Sequence, residues 1–214
     1  MTIIITEHQK EYLLVAISNA HPVSGTAGLF KVLLWTHPEL FSMISVDCAM
    51  LSIQIASAIL PFWEDRHHGE HNSRLILYFS KTFTTGKGFG NGLSESMTDF
   101  VEYTQRLPID SDDKFAAWAI LSAGSAAQMA QTHISVFHNL AQTLSAAWIF
   151  TDKDIKAAIL DEASITLQAR VIHAWLCDKI KFYIHQNDVN QNDIPFHDVP
   201  VQLIKQRVAA MEGA

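Results

Sequence analysis

FSMISVDCAMLSIQIASAILPFWED, residues 41–65, carries Met43, Ile44, Cys48, Leu51, Ile55, Ile59 and Phe62. From Ile44 onward these apolar positions recur every three or four residues, the period of a helix face rather than a strand. The run is too long for a strand, so it predicts a buried helix over Phe41–Asp65. Pro61 falls late in it and is expected to kink or end the helix nearby, because proline lacks the amide that the helical ladder needs.

The same period extends in both directions. Thr6 reads as the N-cap of a helix over Glu7–Asn19, with Tyr12, Val15 and Ile17 near one face. His21-Pro22 breaks it. A short helix over Ser24–Thr36 follows, carrying Leu29, Val32, Leu33 and Trp35 and ending near His37-Pro38. Downstream, His67-His68-Gly69 is a linker, and Glu70–Thr85 is a helix with Leu75, Leu77, Tyr78 and Phe79. Gly86-Lys-Gly-Phe-Gly-Asn-Gly92 reads as a flexible loop. Ser94 is a cap for a helix to about Gln105, and Pro108-Ile-Asp-Ser111 is a turn.

Asp110 or Ser111 caps an alanine-rich helix to about Gln131, with Phe115, Trp118, Leu121, Ala126 and Met129 as its packing residues. Thr132–Phe150 continues as the same broken helix or as the return arm of a hairpin. Thr151-Asp152 caps a long helix over Lys153–His185. Asn187–Pro200 is a loop, and Val199–Met211 a terminal helix. Strand signals are nearly absent. Asn91-Gly92 lies in the glycine-rich stretch and not between alternating apolar residues. The expected fold is all-α, an irregular antiparallel multi-helix bundle or short helical stack. It forms a single domain over residues 1–214, with 86–93 as the candidate subdomain break.

Composition narrows the function classes. Of 214 residues, 49% are hydrophobic and only 17% charged, against about 25% in an average protein. This excludes disorder and implies broad apolar faces. The net charge is -7 and no Lys/Arg stripe occurs, which argues against nucleic-acid binding through phosphates. An acidic surface suits a basic partner. Cys48 and Cys177 lie in apolar periodic segments, as buried free thiols of an intracellular protein would. The N-terminus lacks a basic stretch before its apolar run, so it is not a signal peptide. Ser, Gln and His interrupt the apolar stretches before they reach ~18 residues, so no membrane span is expected and the localisation is cytoplasmic.

Sites for chemistry are scarce. Three of the 11 histidines, His67, His68 and His71, form the densest cluster together with Glu70, and His67 and His71 have a zinc-like four-residue spacing. Gly69 between them spoils a shared helix face, so they are the metal candidates of a helical-bundle enzyme reading and not a formed site. His133, His138, His173 and His185 read as isolated helical histidines. Gly86–Gly92 lacks the GK[ST] ending of a phosphate loop. No GxSxG elbow and no calcium-loop pattern occurs. Asp110, Asp112 and Asp113 precede a helix, where negative charge favours the positive helix end. The run Trp63-Glu64-Asp65-Arg66 has the aromatic and arginine residues common at protein interfaces. The expectation is a non-enzymatic protein with no cofactor.

Asp47-Cys48-Ala49, Ile59-Leu-Pro-Phe-Trp-Glu64, a charged turn, and Asn72-Ser-Arg74 together resemble an all-α immunity-protein family of bacterial polymorphic toxin systems. The resemblance spans roughly Phe41–Phe150. The family's proline-containing turn is replaced here by Arg66-His-His-Gly-Glu-His71. The resemblance implies a protein that binds a cognate toxin, in many cases a basic nuclease, and occludes its active site. It carries over Trp63, Glu64, Asp65 and Arg74 as partner contacts, which Arg66 joins from the interface-like run. A homodimer is compatible with this reading. So is the alternative of a helical interaction or regulatory module without a toxin partner.

Overall fold

The structure, a computed structural model, describes residues 6–20, 26–88, 90–108, 111–130, 135–151, 173 and 176–185. Their helices are α1 (Glu7–Asn19), α2 (Thr26–Thr36), α3 (Pro38–Arg66), α4 (Asn72–Thr84), α5 (Gly90–Thr104), α6 (Asp112–Met129) and α7 (Ser135–Thr151). Residues 176–184 are also helical, and no strand occurs among the described residues. The protein is an all-α helical bundle. The expected loop and terminal helix after Asn187, and most of the expected Lys153–His185 helix, lie outside the described residues.

The central pair is α3 and α6. α3 packs against α2, α4, α6 and α7, while α6 packs against α3, α4, α5 and α7. α3 buries residues all around its circumference, including Leu40, Ile44, Cys48, Leu51, Ile53, Ile55, Ile59 and Trp63. A helix apolar on every side has to be enclosed. α6 solves the enclosure with small residues. Ala116, Ala117, Ala119, Ala123, Gly124, Ala126 and Ala127 are buried with Ser122 and a single large residue, Ile120, so neighbouring backbones approach closely. The expected packing residues Trp118 and Met129 are instead exposed. Methyl groups fill most of the interface between close helices, while Trp118 and Met129 turn outward.

Several boundaries differ from those expected. α3 begins at Pro38, where the missing proline amide costs nothing at the first helical position. It passes through Pro61 to Arg66. Pro61 and Ser57 are both exposed, so water reaches the Ser57 carbonyl that loses its amide partner there. The expected flexible glycine loop is half helical, since α5 starts at Gly90 rather than at Ser94. A Cβ at Gly92 would stand 3.0 Å from the Phe79 ring, so glycine there lets α5 lie tightly on α4. α4 ends in a Schellman pair, Gly86 N to Phe83 O and Lys87 N to Thr82 O, with Gly86 at φ 71°. α6 and α7 pack on each other as a hairpin, not as one broken helix.

Tyr12 and Val15 of α1 are exposed, and Leu13 and Ile17 are its buried residues. Thr6 caps α1 through a reciprocal box with Gln9, as its sequence predicts. Contrary to the expectation that every apolar stretch is interrupted too early, α3 is long and apolar enough to cross a bilayer by length and composition. Within the bundle 61% of that window is buried by the chain itself, as befits a core helix.

Candidate functional site

The end of α3, the turn 67–71 and the starts of α4 and α6 meet in one corner. Its anchor is Trp63, which is fully buried. The indole Nε1 donates to Glu70 Oε2 at 2.9 Å. Glu70 Oε1 in turn accepts from the backbone amides of Asn72 and Ser73, the first free amides of α4. His71, the residue at the N-cap position, makes no side-chain cap bond, so Glu70 serves as the cap from one position earlier. Gly69 at φ 91° supplies the turn that brings Glu70 back over the indole.

Trp63 also orders the residues around it. Its ring stacks on His67 with centroids 3.9 Å apart and planes at 23°. Phe100 and Tyr103 of α5 meet it edge-on. His67 Nδ1 lies 3.0 Å from the Tyr103 hydroxyl, and His67 Nε2 lies 3.6 Å from Asp113 Oδ1. Arg66 Nε stands 3.0 Å from the same Asp113 oxygen, an ion pair whose angle does not complete a hydrogen bond. The Arg66 guanidinium also covers the Phe62 ring at 4.9 Å.

The residues singled out by sequence therefore divide. Trp63 lies inside the chain's own core, which removes it from the surface a partner can touch. Glu64 and Arg74 pair on the outside, with Arg74 Nε 2.7 Å from Glu64 Oε1. The Glu64 hydrogen bond, and after it the Glu64 charge, raises the Arg74 pKa further above its ordinary value. Asp65 and Arg66 are exposed beside them. His68 and His71 are also exposed, whereas His67 points at Tyr103 and Asp113. Among the described residues no group of three His, Cys, Asp or Glu side chains converges as a metal set.

Glu70, which stands in the His67–His71 cluster, takes a capping role instead of a metal one, and Tyr103 and Asp113 join the corner from outside that cluster. Asp113 also stands in the first turn of α6, where its charge favours the helix end. Nothing in the spacing joins Tyr103 or Asp113 to His67, because the contacts cross from α3 to α5 and α6.

A second polar group lies in the core. Asp47 Oδ2 accepts from Lys179 Nζ at 2.7 Å and from the Tyr183 hydroxyl at 2.7 Å, tying residues 176–184 to α3. Burial lowers the Lys179 pKa, with the Asp47 charge opposing. Burial and then Asp47 raise that of Tyr183. The adjacent Cys48 thiol is pushed up by burial first and by Asp47 second. Both cysteines are free and buried. Asp47, the one charged residue between Glu39 and Glu64 in the apolar middle of α3, is the available signal.

Comparison with known proteins gives no match to any family model, any curated protein or any solved structure.

Proposed function

We propose that the chain is a binding protein of the immunity type, which neutralises a cognate bacterial toxin by covering its active site. The observation carrying this reading is the corner itself: Glu64, Asp65 and Arg66 at the end of α3 and Arg74 at the start of α4 flank a turn held by the bond between buried Trp63 and Glu70. Charged groups on a rigid mount lose little conformational freedom on binding, which favours recognition. The net charge of -7 supports a basic partner, since complementary potentials speed encounter. The resemblance of ILPFWE and its flanking residues to immunity proteins supports the same reading.

Co-expression with a toxin encoded beside this gene tests it. The expected result is a stable complex and restored growth, and absence of both overturns the proposal. The paired change Glu64→Lys and Asp65→Lys is expected to slow association at low salt. An unchanged rate removes these two residues from the interface.

An interaction or regulatory module without a toxin partner is the second reading. It is favoured by Trp35, 83% exposed on α2, and by Leu75 and Tyr78 exposed on α4. Large exposed aromatics are common interface anchors. Here Trp35→Ala would weaken partner capture, while the Glu64 and Asp65 changes would leave it intact.

A further inference from the structure

The Tyr103–His67–Asp113 line has the layout of an activated nucleophile: a hydroxyl, a base within hydrogen-bond reach, and a carboxylate facing the far nitrogen of the base at 3.6 Å. His67 Nε2 and Asp113 Oδ1 are both buried and have no hydrogen-bond partner. At 3.6 Å no water fits between them. A bare imidazole lone pair facing a carboxylate oxygen would be repelled, so neutral His67 carries its proton on Nε2. Nδ1 is then the lone-pair nitrogen, and the Tyr103 hydroxyl is the donor across 3.0 Å. Stacking on Trp63 fixes the imidazole plane, and the Glu70 bond fixes Trp63. Tyr103 itself is 39% exposed, so a reagent reaches it from solvent.

We infer that Tyr103 is a base-assisted nucleophilic phenol, a site of acylation by neutral activated acyl donors. The acidic chain disfavours anionic donors, which selects the neutral class. In the step, Tyr103 Oη attacks the acyl carbon and its proton passes to His67 Nδ1. The bond to the leaving group breaks with its electron pair, leaving an acyl-tyrosine ester and the departing anion. His67, now cationic between Nδ1–H and Nε2–H, faces Asp113 and returns the proton to water. The inference is independent of any protein partner.

Tyr12 and Tyr78 are internal controls. They are 49% and 62% exposed, more than Tyr103, and neither hydrogen-bonds a histidine. The full chain is treated with N-acetylimidazole, and acetylation of each tyrosine is followed by peptide mass mapping. General-base assistance contributes roughly 10²–10⁴-fold, so Tyr103 is expected to react at least about tenfold faster than either control. His67→Gln should bring it down to the control rate while circular dichroism stays unchanged. Reaction of Tyr103 in the unmodified chain at or below the rate of Tyr12 and Tyr78 overturns the inference, with no variant required. So does a folded His67→Gln chain that keeps the fast rate.

Discussion

Trp63 and Glu70 are joined by a 2.9 Å hydrogen bond from the indole Nε1 to a carboxylate that also caps α4. One acidic side chain thus ties the last turn of the core helix to the first turn of the next.

Trp63→Phe keeps the apolar ring and removes the donor. A hydrogen bond to a charged acceptor is worth about 1.5–3 kcal/mol, so stability should fall by that order. Urea unfolding followed by circular dichroism should show a lower midpoint with an unchanged slope. A double-mutant cycle with Glu70→Gln should give non-additive losses, because both changes act on one bond.

Two glycines in helices should respond oppositely to alanine. A Cβ at Gly28 in α2 meets nothing within 4 Å, so Gly28→Ala should stabilise by up to about 1 kcal/mol. A Cβ at Gly124 would lie 2.9 Å from Met97 Sδ and 3.0 Å from Ile76 Cγ2. Met97 can swing away, but the branched Ile76 on α4 cannot. Overpacking should outweigh the helix gain, giving a net loss of up to about 2 kcal/mol. Thermal melts of the two variants provide the comparison.

The Asp47 group should tolerate loss of its members unequally. Asp47→Ala removes both the Lys179 ion pair and the acceptor of the Tyr183 hydroxyl, and should cost up to about 3 kcal/mol. Lys179→Met leaves Asp47 bonded to Tyr183 and 24% exposed to water, so the cost should be about 1 kcal/mol or less. Chemical denaturation of both variants at neutral pH tests the order.

Alkaline pH should destabilise the fold. Cys48, Cys177 and Tyr183 all have raised folded-state pKa values, against ordinary values of 9.0, 9.0 and 10.0. The unfolded chain therefore releases these protons first, and stability falls as pH rises above about 9. Lys179 is shifted the other way, so below its ordinary 10.5 it works in favour of the native state as pH rises. Three groups oppose one, which gives a net decline. Tyr183→Phe should flatten the part of the decline above pH 10, as measured by melting temperature against pH.

Much of the helix order was legible because apolar spacing and caps are local. Thr6, Ser111 and the ends near His37 and His67 mark boundaries within a residue or two of those observed. The glycine-rich stretch misled because its four glycines read as flexibility. Gly90 and Gly92 instead enter a helix, where they pack closely on the Phe83 and Phe79 rings of α4. In α6, large apolar residues marked the helix, yet the small ones carry its packing.

By itself, then, the sequence determined an all-α chain with an apolar central helix and charged residues gathered at Trp63–Arg74, since periodicity and polarity act over a few residues. Only tertiary structure decided that Trp63 turns inward to Glu70, that His67 stands between Tyr103 and Asp113, and that Asp47 receives Lys179 and Tyr183. Those contacts span up to 136 residues of sequence, and close helix packing, not local preference, brings their partners together.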